Sequence, residues 1–404
     1  MQKHNLLEKL VALSPGMEIW WDSSPIIFDN WCTTFLEKAA ETDRPLLEAQ
    51  FARMYAPDNV TNQLFRGVTT NPPLSLQAIE DDVDRWKSIA RSFIEESPDI
   101  TIEELFWKNY LEIVRLGSEM YLPLFEASGY REGYLSGQTD PRDAFNGEAM
   151  LKQAREIAAV NDNVMVKIPG TREGYDVIEE LTALGIPTNN TLSFHMPQFA
   201  HCAERVEKGL VRARRDGIDL SRWRSVITAM ESRFGDLGGL RDHAREQGIE
   251  LSEAEVRWAE LAIFKKACHY LRKNRYHSKM LSCSLRLGPE IEGRKRIWHL
   301  EEKVGAEIVM TCPPGFIADI INFENQEAID FEPNTIDRPI PDEVLEKLMK
   351  VPYFAKAYDE YGYDPLEFDS HPALVKTAEQ FAAATEKAVA FAAGCLEEAK
   401  KEKV

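Results

Sequence analysis

Asn163-Val-Met-Val-Lys-Ile-Pro-Gly170 sets the reading of this chain. Val164, Met165, Val166 and Ile168 make the short apolar run required of a parallel strand buried on both faces, and Lys167 interrupts it near its C-terminal end. Buried ammonium is costly unless paired, and burial lowers a lysine's pKa toward the neutral amine that attacks a carbonyl carbon to form a Schiff base. A structural reading fits the same residues: a strand-end lysine whose stem lies along apolar surface while its amine reaches water or a carboxylate. The rest of the chain has to separate the two.

Outward from that strand, the chain alternates. Toward the N-terminus, a helical stretch over Gly147–Ala159 separates it from Gly133-Tyr-Leu-Ser-Gly-Gln-Thr-Asp-Pro141, a strand-like piece running into a polar turn. Residues 74–127 read as two helices, because Ile79, Val83, Trp86, Ile89 and Phe93 keep a helical period and so do Leu105, Tyr110, Ile113, Leu116 and Met120. Before them stand the strand and proline-stopped turn Gly67-Val-Thr-Thr-Asn-Pro-Pro73, a charged connector and a helix through Ile27–Ala40. The first strand is Met17-Glu-Ile-Trp-Trp-Asp-Ser-Ser-Pro25, ending in an acid, and a short amphipathic helix with Leu6, Leu7, Leu10 and Leu13 precedes it.

Toward the C-terminus a helix from about Glu173 to Leu184, closed by Gly185, leads to Ile186-Pro-Thr-Asn-Asn-Thr-Leu-Ser-Phe194. A helix over Pro197–Gly209 follows, then Ser225-Val-Ile-Thr-Ala-Met-Glu-Ser-Arg-Phe234, a helix over Glu253–Asn274, and Lys279-Met-Leu-Ser-Cys-Ser-Leu-Arg286. A helix around Arg294–Val304 precedes the eighth strand, Glu307-Ile-Val-Met-Thr-Cys312. Strands alternating with helices in this number predict an α/β chain forming a (β/α)8 TIM barrel. The competing doubly wound sheet lacks its GxGxxG turn after the first strand. Residues 330–404 leave the rhythm: a Pro-rich link, then helices, the last over about Pro372–Lys400 with Val375, Phe381, Ala384, Val389 and Phe391 on one side. No internal repeat or long low-complexity linker divides the chain. The expectation is a single domain over 1–404, with a barrel core at about 17–320, a helical insertion at about 74–130 after the second strand and a helical C-terminal extension at about 330–404.

The 404 residues are 44% hydrophobic and 28% charged, an ordinary soluble composition and long enough for such a barrel with additions. A formal net charge of -19 argues against a general nucleic-acid or anionic-membrane binder, so an anionic substrate has to be held by a few local cations. Six cysteines without paired spacing favour a reduced intracellular protein over a zinc cluster, and His195 and His201 are too far apart for a two-histidine zinc helix. The N-terminus is charged too early for a signal peptide and no apolar run approaches membrane-spanning length, which makes the cytoplasm the expected location.

In a barrel of this kind, side chains at the C-terminal strand ends converge on one mouth. The polar residues there are Asp22, Thr69, Asn71, Ser136, Gln138, Lys167, Asn189, Thr191, Thr228, Arg233, Ser284 and Arg286. Turns are generally polar, so each alone says little; one lysine, one acid, two arginines and several amides and hydroxyls together say more.

Gly67-Val-Thr-Thr-Asn-Pro, Val166-Lys-Ile-Pro followed by Glu173-Gly174, and Asn189-Asn-Thr-Leu-Ser-Phe with Gln198 and Cys202-Ala-Glu204 resemble the transaldolase family of class I aldolases over about residues 17–320. The resemblance implies a (β/α)8 barrel that moves a dihydroxyacetone unit from a ketose phosphate to an aldose phosphate without metal or organic cofactor. By position, Lys167 matches the Schiff-base lysine and Asp22 the acid that takes the proton of the C4 hydroxyl. Asn71, Asn189 and Ser284 match groups that hydrogen-bond the dihydroxyacetone hydroxyls, although asparagines in such turns equally serve the backbone. Arg233 and Arg286 match the phosphate-binding pair, against a plain alternative of surface salt bridges, and Thr228 stands where the family often has a serine. Thr69 and Ser136 complete the expected substrate-binding set.

One position departs from the pattern. Where transaldolases carry a glutamate on the third strand that handles the catalytic water together with a threonine, here Thr191, this chain has Gln138, and an amide orients water but does not shuttle a proton. The related fructose-6-phosphate aldolases also have glutamine there, with a tyrosine on the sixth strand where this chain has Met230. The expectation is therefore a transaldolase, with a class I aldolase that releases or joins free dihydroxyacetone as the alternative and a non-catalytic sugar-phosphate-binding barrel behind both. Expected partners are small sugar phosphates, with a homodimer left open, and not nucleic acid or membrane.

Overall fold

The computed structural model describes residues 4–324 and 329–402. Eight strands, β1 (Glu18–Trp21), β2 (Phe65–Thr69), β3 (Tyr134–Gln138), β4 (Val164–Pro169), β5 (Thr188–Thr191), β6 (Ser225–Met230), β7 (Lys279–Cys283) and β8 (Val309–Cys312), form a closed barrel. Each pairs in parallel with its sequence neighbours, and β8 closes the ring against β1 with Trp20 opposite Thr311. All eight strands of the expected (β/α)8 TIM barrel are present, joined by helices on the outside.

Strand period decides what each residue meets. In β4, Lys167 and Met165 point into the lumen while Val164, Val166 and Ile168 face the helices, which is why the run reads as apolar throughout although only one face touches helix. The barrel ring is tight: Gly67 in β2 lies against the Trp20 indole, where an added Cβ would come within 2.6 Å of the ring, so this strand position has to stay bare. Gly185 closes the helix Arg172–Ala183 region in a left-handed conformation at φ 74°, as its place in the sequence predicts.

Four stretches differ from the sequence reading. The connector before β2 holds a helix, Arg44–Met54, and a 3-10 turn at Pro57–Asn62. The insertion contains three helices, Pro72–Asp81, Val83–Glu96 and Ile102–Ala127, because Asp82 leaves helical geometry and caps the second through the Arg85 amide. Ile79 and Val83 therefore belong to different helices although their spacing is helical. The sixth strand stops at Met230, and Arg233 sits on a short helix, Glu231–Asp236. The expected helix at Arg294–Val304 shrinks to Trp298–Glu301, since Glu292 and Gly293 both take positive φ (53° and 75°) and turn the chain through a two-residue hairpin between Glu290–Ile291 and Arg294–Lys295.

After the barrel, helices Asp342–Leu348 and Pro352–Tyr358 lead to the long helix Pro372–Glu402. It packs against the three insertion helices and is tied there by ion pairs from Lys87 to Glu398 at 2.7 Å and from Arg142 to Glu386 at 3.3 Å. The insertion is anchored in turn by Trp86, which is fully buried and donates its indole N–H to the Ala78 carbonyl at 2.8 Å. Extension and insertion thus meet over one side of the barrel mouth. Among the described residues, no helix is long and apolar enough to cross a membrane.

Candidate active site

The lumen near the C-terminal strand ends brings most of the expected residues together. Lys167 is buried, and its Nζ donates to the Thr70 carbonyl oxygen at 3.0 Å, a neutral acceptor at the end of β2. Burial pushes its pKa below the ordinary lysine range, the Asp22 carboxylate opposes that shift and the Arg233 guanidinium adds to it. Asp22 follows β1 and keeps part of its surface open to the mouth. Desolvation raises its pKa, against the pull of Lys167, a hydrogen bond from Thr69 and the charge of Arg233. The Thr69 hydroxyl donates to Asp22 Oδ1 at 2.6 Å and lies 2.5 Å from the Thr311 hydroxyl, so a two-hydroxyl chain across β2 and β8 orients the acid. The lysine is moved down and the acid up, so the gap between their protonation equilibria narrows while the two charges remain in electrostatic reach.

On the opposite side a second chain runs through the lumen. The Thr228 hydroxyl donates to Asn189 Oδ1 at 2.7 Å, and Asn189 Nδ2 donates to the Ser136 hydroxyl at 2.9 Å. These bonds fix which end of the Asn189 amide is oxygen. Strand register places Gln138 and Asn189 at the level of Lys167, one on each neighbouring strand, with Thr191 beyond Asn189. Gln138 Oε1 and Thr191 Oγ1 are both buried and have no hydrogen-bond partner among the described residues, so two free polar atoms flank Lys167 from β3 and β5. The Gln138 backbone is pinned by Tyr110 of the insertion, whose hydroxyl accepts from Gln138 N and donates to Gln138 O, both at 2.6 Å.

The two arginines stand differently. Arg233 Nη1 donates to Gln380 Oε1 at 2.8 Å and to the Thr377 hydroxyl at 3.3 Å, with its guanidinium 5.5 Å from the Phe381 ring centre. No carboxylate lies within salt-bridge distance of it among the described residues. Burial lowers its pKa, and repulsion from Arg286 adds to the effect. Arg286 is exposed, 3.9 Å from Asp236, and its backbone N–H is held by His299 Nδ1 at 2.9 Å. Ser284 takes a left-handed φ of 58° just past β7, which swings the chain toward the mouth.

Asn71 is engaged otherwise: its Oδ1 caps the helix Pro72–Asp81 by accepting from Leu74 N at 3.0 Å, leaving only its amide donors for a ligand. His195 is fully buried; it caps the helix Met196–Arg215, stacks on Tyr363 at 4.6 Å and is held neutral by burial, as befits a structural histidine. Of the extension's aromatics, Tyr353 stacks on Phe234 and Phe381 lies under the Arg233 guanidinium.

Five residues around the site were not singled out in the sequence. Thr311 is found by carrying strand alternation along Val309–Cys312. Tyr110 reads as core because its helical spacing is that of a core residue. Thr377 and Gln380 carry no signal, since the residues they meet are about one third of the chain away. Cys283 points into the lumen, and burial together with Asp22 pushes its thiol up to about 12, so it stays protonated.

Comparison with known proteins places the family. The family model for transaldolase/fructose-6-phosphate aldolase matches residues 48–361. A protein named transaldolase from Thiobacillus denitrificans is 33% identical over 54% of this chain and 60% of its own length. Transaldolase 1 of Streptomyces avermitilis is 34% identical over 41% of this chain and 44% of its own length, and transaldolase 2 of Nostoc punctiforme is 27% identical over 64% and 73%. The chain thus covers less than two thirds of the first two relatives. Because the family match spans β2 through β8 and every strand end described above except that of β1, this chain belongs to the transaldolase/fructose-6-phosphate aldolase family.

Proposed function

We propose that the chain is a transaldolase that moves a dihydroxyacetone unit from a ketose phosphate, such as fructose 6-phosphate or sedoheptulose 7-phosphate, to an aldose phosphate through a Schiff base on Lys167. The observation that carries the reading is the buried Lys167 amine, shifted toward neutrality and facing an acid shifted the opposite way. In this mechanism Lys167 Nζ adds to the C2 carbonyl carbon, and the resulting carbinolamine loses its oxygen as water to give an iminium. Asp22 takes the proton of the C4 hydroxyl while the C3–C4 electron pair moves into the iminium, releasing an aldehyde and leaving an enamine. The enamine attacks the acceptor aldehyde, Asp22 returns the proton, and hydrolysis frees the amine.

The remaining side chains divide the work by chemistry. Asn189, Ser136 and Thr228, already linked, offer donors and acceptors to the dihydroxyacetone hydroxyls, as do Thr69, Ser284 and the amide donors of Asn71. The free Gln138 Oε1 and Thr191 Oγ1 hold the water that leaves and re-enters at C2. Arg233 and Arg286 grip the phosphate by charge-assisted bonds. A cytoplasmic setting suits the six cysteines, all free thiols.

Borohydride reduction in the presence of fructose 6-phosphate should leave a sugar-derived adduct on the Lys167 peptide, and an unmodified peptide would refute the mechanism. A second reading, a class I aldolase that releases or joins free dihydroxyacetone, is favoured by the amide at position 138. The two separate on supplying the donor with and without erythrose 4-phosphate: a transaldolase depends on the acceptor, whereas an aldolase yields dihydroxyacetone without it.

A further inference from the structure

The C-terminal helix does more than cover the barrel. It clamps the short helix after β6 through consecutive turns of one face: Lys376 Nζ donates to the Leu237 carbonyl at 2.9 Å, Thr377 and Gln380 accept from Arg233, and Phe381 lies beneath the guanidinium. Positions 376 and 380, like 377 and 381, are one turn apart, so a single rigid surface presents all four groups. Arg233 is meanwhile a half-buried cation whose partners here are neutral, an amide oxygen and a hydroxyl. A guanidinium placed for structure is ordinarily matched to a carboxylate, as Arg142 is to Asp140, to Glu103 and, on the C-terminal helix, to Glu386.

We propose that Gln380, seconded by Thr377, is a specificity-determining residue that reads the phosphate-bearing end of the sugar substrate. This rests on Arg233 being a phosphate ligand. Gln380 carries both an acceptor and two donors on one amide. Without an anion, its oxygen satisfies Arg233. When a phosphate arrives, the charge-assisted bond to Arg233 replaces the weaker neutral one, and the amide turns to donate its N–H groups to the same phosphate. A glutamate at this position would do neither: it would pair with Arg233 permanently and repel the anion. The neutral amide keeps the guanidinium ordered yet available. The C-terminal helix is thus the far wall of the site and fixes how distant the phosphate stands from Lys167.

The test compares kcat/KM for fructose 6-phosphate with that for unphosphorylated fructose or dihydroxyacetone in wild type, Gln380→Glu, Gln380→Ala and Arg233→Met. Gln380 is exposed on a helix, so its substitution leaves the packing in place. Gln380→Glu is expected to lower the preference for the phosphorylated donor about tenfold or more through KM, as like charges brought together do, and Gln380→Ala to lower it less. If Arg233→Met lowers the preference and neither Gln380 variant does, the role of Gln380 is overturned while that of Arg233 stands. If Arg233→Met also leaves the preference unchanged, the phosphate assignment itself fails and takes this inference with it.

Discussion

Gln138→Glu probes the position where the resemblance to transaldolases implies a glutamate. Gln138 is paired in register with Lys167 on the adjacent strand, and adjacent strands lie about 4.8 Å apart. A carboxylate at roughly 5 Å from an ammonium, at an effective dielectric of about 20, stabilises the charged amine by about 3 kcal/mol. At about 1.4 kcal/mol per unit, that raises the lysine pKa by about 2. The Gln138 side chain is 2% exposed, so little solvent screens the interaction. The assay is the rate of borohydride-trapped imine formation with dihydroxyacetone as a function of pH. In the variant, the rise that accompanies amine deprotonation should move about 2 units toward alkaline pH. The new carboxylate also shuttles protons to and from the departing water, so transfer to erythrose 4-phosphate should gain on release of free dihydroxyacetone. An unmoved pH profile would show that side chain 138 does not face the amine and would refute the register argument. An unmoved product ratio would place the proton transfer on another group.

Three further outcomes are expected. Asp22→Asn should keep imine trapping at Lys167 but slow carbon–carbon cleavage by about 10²–10⁴, the usual contribution of a positioned acid/base, and a loss of trapping instead would move its role to imine formation. Tyr110→Phe removes the hydroxyl that satisfies both Gln138 backbone groups and should cost about 1–3 kcal/mol in denaturant unfolding, while an equal loss from a distant tyrosine-to-phenylalanine control such as Tyr361→Phe would remove its significance. His371 is buried, neither ring nitrogen has a hydrogen-bond partner among the described residues, and burial beside His243 and Lys356 lowers its pKa to about 3. The folded state therefore binds fewer protons than the unfolded one between about pH 6.5 and 3, so the stability this group confers is whole above 6.5 and falls by up to about 1.4 kcal/mol per unit as pH drops. Hydrogen exchange in helix Pro372–Glu402 should rise across that window, and His371→Phe should flatten the response.

The barrel was legible because each strand is short, buried on both sides and bounded by turn chemistry, and Lys167 and Asp22 stood out because their types conflict with those surroundings. What periodicity reports is burial, not the partner. Ile79 and Val83 share a period across a break made by the cap at Asp82, and Arg294–Val304 lost its helix to a local turn that two positive φ angles dictate. Asn71 was open between ligand and cap because both uses ask for the same oxygen; the structure commits that oxygen to Leu74 N. Likewise, Thr311 against Thr69 and Gln380 against Arg233 are contacts between residues 242 and 147 positions apart, where no local pattern can point.

The overall charge of -19 and the proposed phosphate-holding mouth are compatible because they act over different distances. At physiological salt the screening length is about 8 Å, so carboxylates spread over the outer surface contribute little inside the lumen. There the groups that act on Lys167 and Arg233 are each other, Asp22, Cys283 and, for Arg233, Arg286; Asp22 is the carboxylate among them, while the exposed Arg286 has Asp236 at 3.9 Å. Against the glutamate that the resemblance to transaldolases implies there, Gln138 brings no second negative charge beside Lys167. On the proposed mechanism, that amide trades proton transfer for a more cationic pocket, a weaker hold of Lys167 on its proton and a stronger hold on an anionic sugar. A phosphorylated substrate supplies the missing negative charge on binding, so its affinity should fall more steeply with added salt than that of an unphosphorylated one, and equal salt dependence would contradict this balance of charges.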